Sequence, residues 1–322
     1  MKLSRLFGAC CTLLSVSALA VKSPRPLVIW HGLGDSYASE GIVEFGKLIE
    51  EIHPGIFIHS VYIVDNNDDD RKATFYGNIN TQLEFVAEQL QNVTELAGGF
   101  DAIGFSQGGQ FLRAYVERFN DPPIHNLITF GSQHMGVSDL PACSAWDFPC
   151  KAARNIARGA VYGHWVQKNI IMAQYYRDPA HMETYLEANH FLPDINNERE
   201  ERNATYAENF VTLNALVLMI FDEDQTVVPK ESAWFGSEAV LKKDGYFSPE
   251  NQQVLDSNSD ISSIAPTLVH MRQQPLYKED WIGLRTLDER GAVVFGTCHG
   301  QHMQIKRECW EPLVRKWVGG VE

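Results

Sequence analysis

The sequence predicts an α/β protein built on a mostly parallel, buried sheet, and three observations carry that expectation. Short apolar runs recur along the chain as "LVIW", "GIFIHSVYI", "FDAIGF", "HNLITFG", "LNALVLMIF" and "GAVVFG". They are continuous rather than alternating, and segments with helical apolar spacing separate them. Strands buried on both faces read as unbroken apolar runs, and parallel strands need helical crossovers between them. A chain of 322 residues, 44% apolar and 21% charged, can bury a large core, which excludes disorder.

The first twenty residues place Lys2 and Arg5 before an apolar stretch that ends in Ala18-Leu19-Ala20, the pattern of a secretory signal cleaved after Ala20. The stretch, roughly 15 residues, is short beside the ~20 that span a bilayer, so an N-terminal membrane anchor is the weaker reading. No other segment is long and apolar enough to cross a membrane. A soluble mature chain, residues 21–322, is expected in the secretory pathway, as a monomer. Losing Lys2 and Arg5 takes the formal charge from −14 to −16. That balance excludes nucleic acid as a partner, because phosphates reward clustered Lys and Arg, and it suits an acidic organelle. Cys10 and Cys11 leave with the signal; Cys143 with Cys150 and Cys298 with Cys309 remain as two close pairs. In an oxidising compartment these predict two local disulfides, and neither pair has the spacing of a structural zinc site. Asn92-Val93-Thr94 and Asn203-Ala204-Thr205 are glycosylation sequons at Asn92 and Asn203.

After the first strand, "LVIWHGLGDS", and the second, "GIFIHSVYI", the stretch "DNNDDDR" at 65–71 reads as a solvated loop. It lacks the glycine and terminal glutamate of a calcium loop. From Thr81, apolar residues at Leu83, Val86, Leu90 and Val93 follow helical spacing, and "FDAIGF" follows as a strand. "QGGQFLRAYVERF" then sets Phe111, Leu112, Tyr115, Val116 and Phe119 on one helical stripe. Residues 138–212, rich in Trp146, Phe148, Tyr162, Trp165, Ile170, Ile171, Met172, Tyr175 and Tyr176, lack a convincing strand and read as a helical insertion. Most of these side chains should form a small packed subdomain, with an inner face lining an apolar groove over the site.

Gly104-Phe105-Ser106-Gln107-Gly108 matches G-x-S-x-G between a strand and a helix, the nucleophile elbow of the α/β-hydrolase fold. A serine hydroxyl attacks only when a histidine takes its proton and an acid holds that histidine in the useful tautomer. In this fold the acid and then the base follow the serine along the chain. "DEDQTVVP" after "LNALVLMIF" offers Asp224 first and Asp222 next as the acid, with Glu223 as a loop charge. "TCHGQHMQI" after "GAVVFG" offers His302 first as the base, with His299 as the alternative. Two backbone N–H groups are needed for the oxyanion: that of Gln107, after the nucleophile, and that of Leu33 in "HGLGDS". His31 is expected to make structural hydrogen bonds, and His134 to be a loop residue near the site without a chemical role.

With these residues in place the chain resembles the palmitoyl-protein thioesterase family of α/β-hydrolases. The likeness rests on "WHGLGDS", "GFSQGGQFLRA", "NLITFGSQHMGV", "AQYYRDP", "FLPDINNER", "SAWFG" and "HMQI" and runs over the mature chain. The resemblance implies hydrolysis of palmitoyl and other long acyl thioesters on cysteines of proteins or peptides during lysosomal degradation, releasing the fatty acid. It implies a nucleophile at Ser106, an acid at Asp224, a base at His302 and oxyanion donors at Leu33 and Gln107. It also implies an acyl groove in the insertion, a bridge at Cys143 and Cys150, and neither metal nor organic cofactor. A lipase or carboxylesterase acting on oxygen esters is the runner-up, since spacing does not encode sulfur. A catalytically silent acyl-binding protein on the same scaffold is the third reading.

Overall fold

The computed structural model describes residues 23–140, 159–242, 245–246 and 267–320. The expected signal at 1–20, the Cys143–Cys150 pair, Trp146 and Phe148 lie outside the described residues. Six parallel strands form one sheet: β1 (Leu27–Trp30), β2 (Ile58–Ser60), β3 (Phe100–Phe105), β4 (Ile124–Phe130), β5 (Ala215–Phe221) and the last strand, Val293–Cys298. From edge to edge the order is last strand, β5, β4, β3, β1, β2. Each strand falls within or beside an apolar run of the sequence. The runs at β1, β3 and β5 are buried along their whole length, whereas β2 and the last strand, at the two edges, are only partly covered.

Side chains alternate across the sheet and build a separate core on each face. Val28, Ala102, Leu127 and Leu216 point to one face, packed against Leu83, Val86 and Leu90 of α3 (Ile79–Gln91) and Phe111, Leu112 and Tyr115 of α4 (Gln107–Arg118). Their neighbours Ile29, Ile103, Ile128 and Val217 point to the other, against Ile42 and Ile49 of α1 (Glu40–Ile52) and Trp310 and Val314 of the C-terminal helix Arg307–Trp317.

Two sequence expectations need correction. The stretch read as a solvated loop forms α2 (Asn67–Ala73), because the Asn66 side chain caps it by accepting from the Asp68 and Asp69 amides. Most of its charges are exposed, but Asp70 is fully buried. The second correction concerns α4, which is covered all round rather than along one stripe: Gln107 through Glu117 are buried, Arg113 and Glu117 included. The outer cover comes from the segment between β4 and β5. There the described residues form helices His164–Asn169, Met182–Ala188, Leu192–Ile195 and Ala204–Phe210 with a 3-10 turn at Ile171–Tyr175. "FLPDINNER" fastens that cover. Asn196 Oδ1 accepts from Arg113 Nη2 at 2.8 Å, and Asp194 Oδ2 accepts from Arg118 Nη2 at 2.6 Å.

Candidate active site

Ser106 sits between the end of β3 and the first residue of α4 with φ 51° and ψ −122°, a strained conformation for a residue with a side chain. Backbone bonds hold it there: its N–H donates to Phe130 O at 2.8 Å and its carbonyl accepts from Gly109 N at 3.1 Å. Space explains the glycines on either side. A Cβ on Gly104 would lie 2.2 Å from Gly109 Cα, and one on Gly108 would lie 2.3 Å from Trp30 O. Strand and helix therefore meet closely enough to lift the hydroxyl above the end of the sheet.

Asp224 follows β5 and His302 follows the last strand, and the structure brings both to Ser106. His302 Nε2 stands 3.1 Å from Ser106 Oγ, and its Nδ1 stands 2.6 Å from Asp224 Oδ2. The other carboxylate oxygen of Asp224 accepts from Thr226 N at 2.8 Å and Val227 N at 3.1 Å, which aims the carboxylate at the imidazole. With Nδ1–H donated to the carboxylate, Nε2 is left as the acceptor for the serine proton.

The runner-up residues pair with each other instead. His299 Nδ1 lies 2.7 Å from Asp222 Oδ2, while Asp222 Oδ1 accepts from Gly300 N at 2.8 Å. Hydrogen bonds from the Gly300 amide and from His299 hold the Asp222 carboxyl below its usual range. This pair is exposed, and it braces the loop that leads to His302. A disulfide between Cys298 and Cys309 ties the same loop to the C-terminal helix.

The loop after β1 passes beside Ser106, where a Cβ on Gly32 would lie 3.2 Å from the serine Cβ. His31 is buried, with Nε2 3.0 Å from Asp70 Oδ2 and Nδ1 3.2 Å from Gly32 O. Asp70 also accepts from Ile63 N at 2.7 Å and Tyr37 N at 3.0 Å. Burial pushes the Asp70 carboxyl up, but hydrogen bonds from His31, Ile63 and Tyr37 outweigh it and hold the group below its ordinary value. Gly34 N donates to Thr74 Oγ1 at 2.8 Å, so α2 anchors the loop at two points and fixes the backbone of Leu33 between them. Gln107 opens α4, and the first amides of a helix have no partner one turn earlier. Its side chain is held too, with Oε1 accepting from Tyr175 OH at 3.2 Å.

His134 lies, as expected, in the turn after β4, beside Gln133 of the cavity wall, but its own side chain is packed away from solvent. It is fully buried, stacks on Phe235 at 4.7 Å and lies with Nε2 3.1 Å from Thr129 Oγ1. Burial, reinforced by the nearby Arg113 charge, pushes it well below the usual histidine range, so it stays neutral. Asn92 and Asn203 are both exposed, at the C-cap of α3 and the N-cap of Ala204–Phe210.

A cavity of about 470 Å³ opens over Ser106 and His302, within the ~300–1,000 Å³ of ordinary ligand pockets. Leu33 and Gly34 stand in its wall. Of the 159–212 segment only Met172 and Tyr175 reach it, joined by Val137 and Val227. The opposite wall, Ile42, Phe45, Phe105, Met303, Ile305 and Trp310, was not foreseen from sequence. It comes from α1, the end of β3 and the C-terminal segment, whose apolar residues read simply as core. Asp70 was missed likewise, since an acidic run gives no sign that one member is buried. Among the described residues, no group of three or more His, Cys, Asp or Glu side chains could hold a metal ion.

An elbow serine at the end of a parallel sheet, with histidine and carboxylate supplied by later strand ends, defines an α/β-hydrolase. The chain belongs to the palmitoyl protein thioesterase family, whose family model matches residues 26–302, and it is an enzyme of the thioester hydrolase class. It is 40% identical over 285 residues to palmitoyl-protein thioesterase 1 of Caenorhabditis elegans, covering 88% of this chain and 87% of that one. Palmitoyl-protein thioesterase 3 of Dictyostelium discoideum is 33% identical, covering 92% of each chain. Lysosomal thioesterase PPT2 of Homo sapiens is 30% identical, covering 95% of this chain and 92% of that one.

Proposed function

We propose that the protein removes long fatty-acyl chains, palmitate above all, from cysteine residues of proteins or peptides, with Ser106 as nucleophile, His302 as base and Asp224 as its orienting acid. Ser106 Oγ attacks the thioester carbonyl as His302 Nε2 takes its proton. The oxyanion is held by the Leu33 and Gln107 amides, and the C–S bond breaks as the imidazolium returns the proton to the departing thiolate. Water, deprotonated by His302, then attacks the acyl-serine; the fatty acid leaves and Ser106 regains its proton. The acyl chain follows the wall of Val137, Met172, Tyr175 and Val227. Each buried methylene contributes about 0.8 kcal/mol, so even half a palmitoyl chain would dominate binding.

The observation that carries this reading is the double engagement of His302, 3.1 Å from Ser106 Oγ and 2.6 Å from Asp224 Oδ2, at the floor of an apolar cavity. Degradation in a lysosome or vacuole is part of the proposal. Its support is the relatives named as lysosomal thioesterases and two exposed sequons. Incubation with an S-palmitoyl-cysteine peptide followed by intact mass spectrometry should reveal an acyl adduct on Ser106, absent in Ser106→Ala. Matched S-palmitoyl and O-palmitoyl substrates decide between thioesterase and esterase: faster turnover of the oxygen ester would reverse the assignment.

A further inference from the structure

The cavity straddles the end of the sheet, and its two apolar walls belong to different cores. Val137, Tyr175 and Val227 are part of the core on the α3 and α4 face. Ile42, Phe105 and Trp310, with Phe45, Met303 and Ile305 packed against them, are part of the core on the α1 face. Ser106 stands at the tip of β3 between the two. A thioester likewise has two halves meeting at the carbonyl, and the first wall is the one assigned above to the acyl half, which leaves the second for the thiol half.

We propose that the second wall is a leaving-group subsite, which binds an apolar side chain next to the acylated cysteine; this rests on the thioesterase reading above. Proton return dictates where the thiol half lies. The departing sulfur must come within hydrogen-bond reach of His302 Nε2, and the residues immediately beyond His302 are the ones that turn into this wall. Met303 does so with φ 62°, a left-handed conformation unusual for a residue with a long side chain. Backbone bonds from Ile305 N to Met303 O at 2.9 Å and from Gln304 N to Gln301 O at 3.0 Å keep it there. The Phe45 ring meets Trp310 edge-on at 5.1 Å and Phe105 at 5.4 Å, giving the subsite an aromatic floor. All six side chains of the wall are apolar or aromatic and none is charged. The cavity's charged side chains, Asp35 and Asp139, are both acidic, so a flanking Asp would give up water and meet no Lys or Arg among the described residues of the lining, while a Leu or Phe would bury apolar surface. The leaving groups that fit are cysteinyl peptides with a branched aliphatic or aromatic neighbour.

The test uses S-palmitoyl peptides identical except for Leu or Asp beside the cysteine, with wild type, Ile305→Asn and Phe45→Ala, each checked for folding by thermal melt. Wild type should favour the Leu peptide in kcat/KM by roughly tenfold or more, and either variant should bring the ratio towards one. The acyl-serine is the same whichever thiol has left, so its hydrolysis rate and the preference among octanoyl to palmitoyl chains should not move. An unchanged Leu-to-Asp ratio in a folded variant overturns the subsite. So does a shift in chain-length preference, which would mean that this wall holds the acyl chain. A wild-type enzyme that forms an acyl-serine but shows no flank preference also refutes it, whereas one that forms no acyl-serine from any peptide brings down the thioesterase reading itself.

Discussion

Asp222 holds His299, with Oδ2 2.7 Å from Nδ1, while two residues along the same turn Asp224 holds His302 at 2.6 Å. The two aspartate–histidine pairs are chemically alike and differ in what lies beyond the imidazole. Past His302 stands Ser106 Oγ; His299 is exposed. Asp224→Asn should lower kcat on an S-palmitoyl peptide by about 10⁴-fold, the scale expected when the histidine loses its orienting carboxylate. Asp222→Asn removes a brace from an exposed loop and should cost about tenfold or less. Equal losses in the two variants would refute the assignment.

Glycine substitutions should divide by the space behind them. Alanine in a helix is ordinarily about 1 kcal/mol better than glycine. Gly46, inside α1, has only the Ile58 side chain at 4.0 Å from a new Cβ, so Gly46→Ala should raise the melting temperature. At Gly108 the 2.3 Å approach to Trp30 O is to backbone, which cannot swing away. Overpacking of this kind costs about 1–3 kcal/mol or more, so Gly108→Ala should melt lower and lose activity together.

Asp70 makes a prediction about acid. Its carboxyl is held below the ordinary value in the folded protein, so the folded state favours the ionised form more than the unfolded chain does. The stabilisation is therefore complete above the unfolded value of about 3.9 and disappears as the pH falls through the lower folded value. Thermal melts should show Asp70→Asn less stable than wild type at pH 5–7, with the gap closing below about pH 3.9. A gap that widened with acid would refute this.

Glu117 acts in the opposite direction. Burial raises its carboxyl to about 8, against the pull of Arg113 at 3.8 Å. The folded state thus keeps a proton that the unfolded chain releases near 4.3, and stability falls as pH rises from there through about 8. Glu117→Gln should flatten the fall in melting temperature between pH 5 and pH 8, a slope that suits an acidic organelle.

The strands and the elbow were legible because each is written in a few consecutive residues. Continuous apolar runs place β1, β3 and β5 within a residue or two. The glycine at 104 announces a contact with Gly109 made within a single strand–turn–helix unit, while the one at 108 marks where α4 abuts Trp30 at the end of β1. Order along the chain narrowed acid and base to Asp222 or Asp224 and His299 or His302. Those choices could be ranked but not closed, since neighbours on one turn differ only in where their side chains point.

By itself, then, the sequence determined the layered α/β architecture, the elbow serine and a short list of partners, because local periodicity and spacing encode them. Tertiary structure alone decided that Asp224 reaches His302 while Asp222 keeps His299, that Asp70 is buried beneath His31, and that α1, the end of β3 and the C-terminal segment wall half of the cavity. Each of these depends on the direction of a side chain relative to residues far away in the chain, and that direction exists only once the two faces of the sheet have been packed.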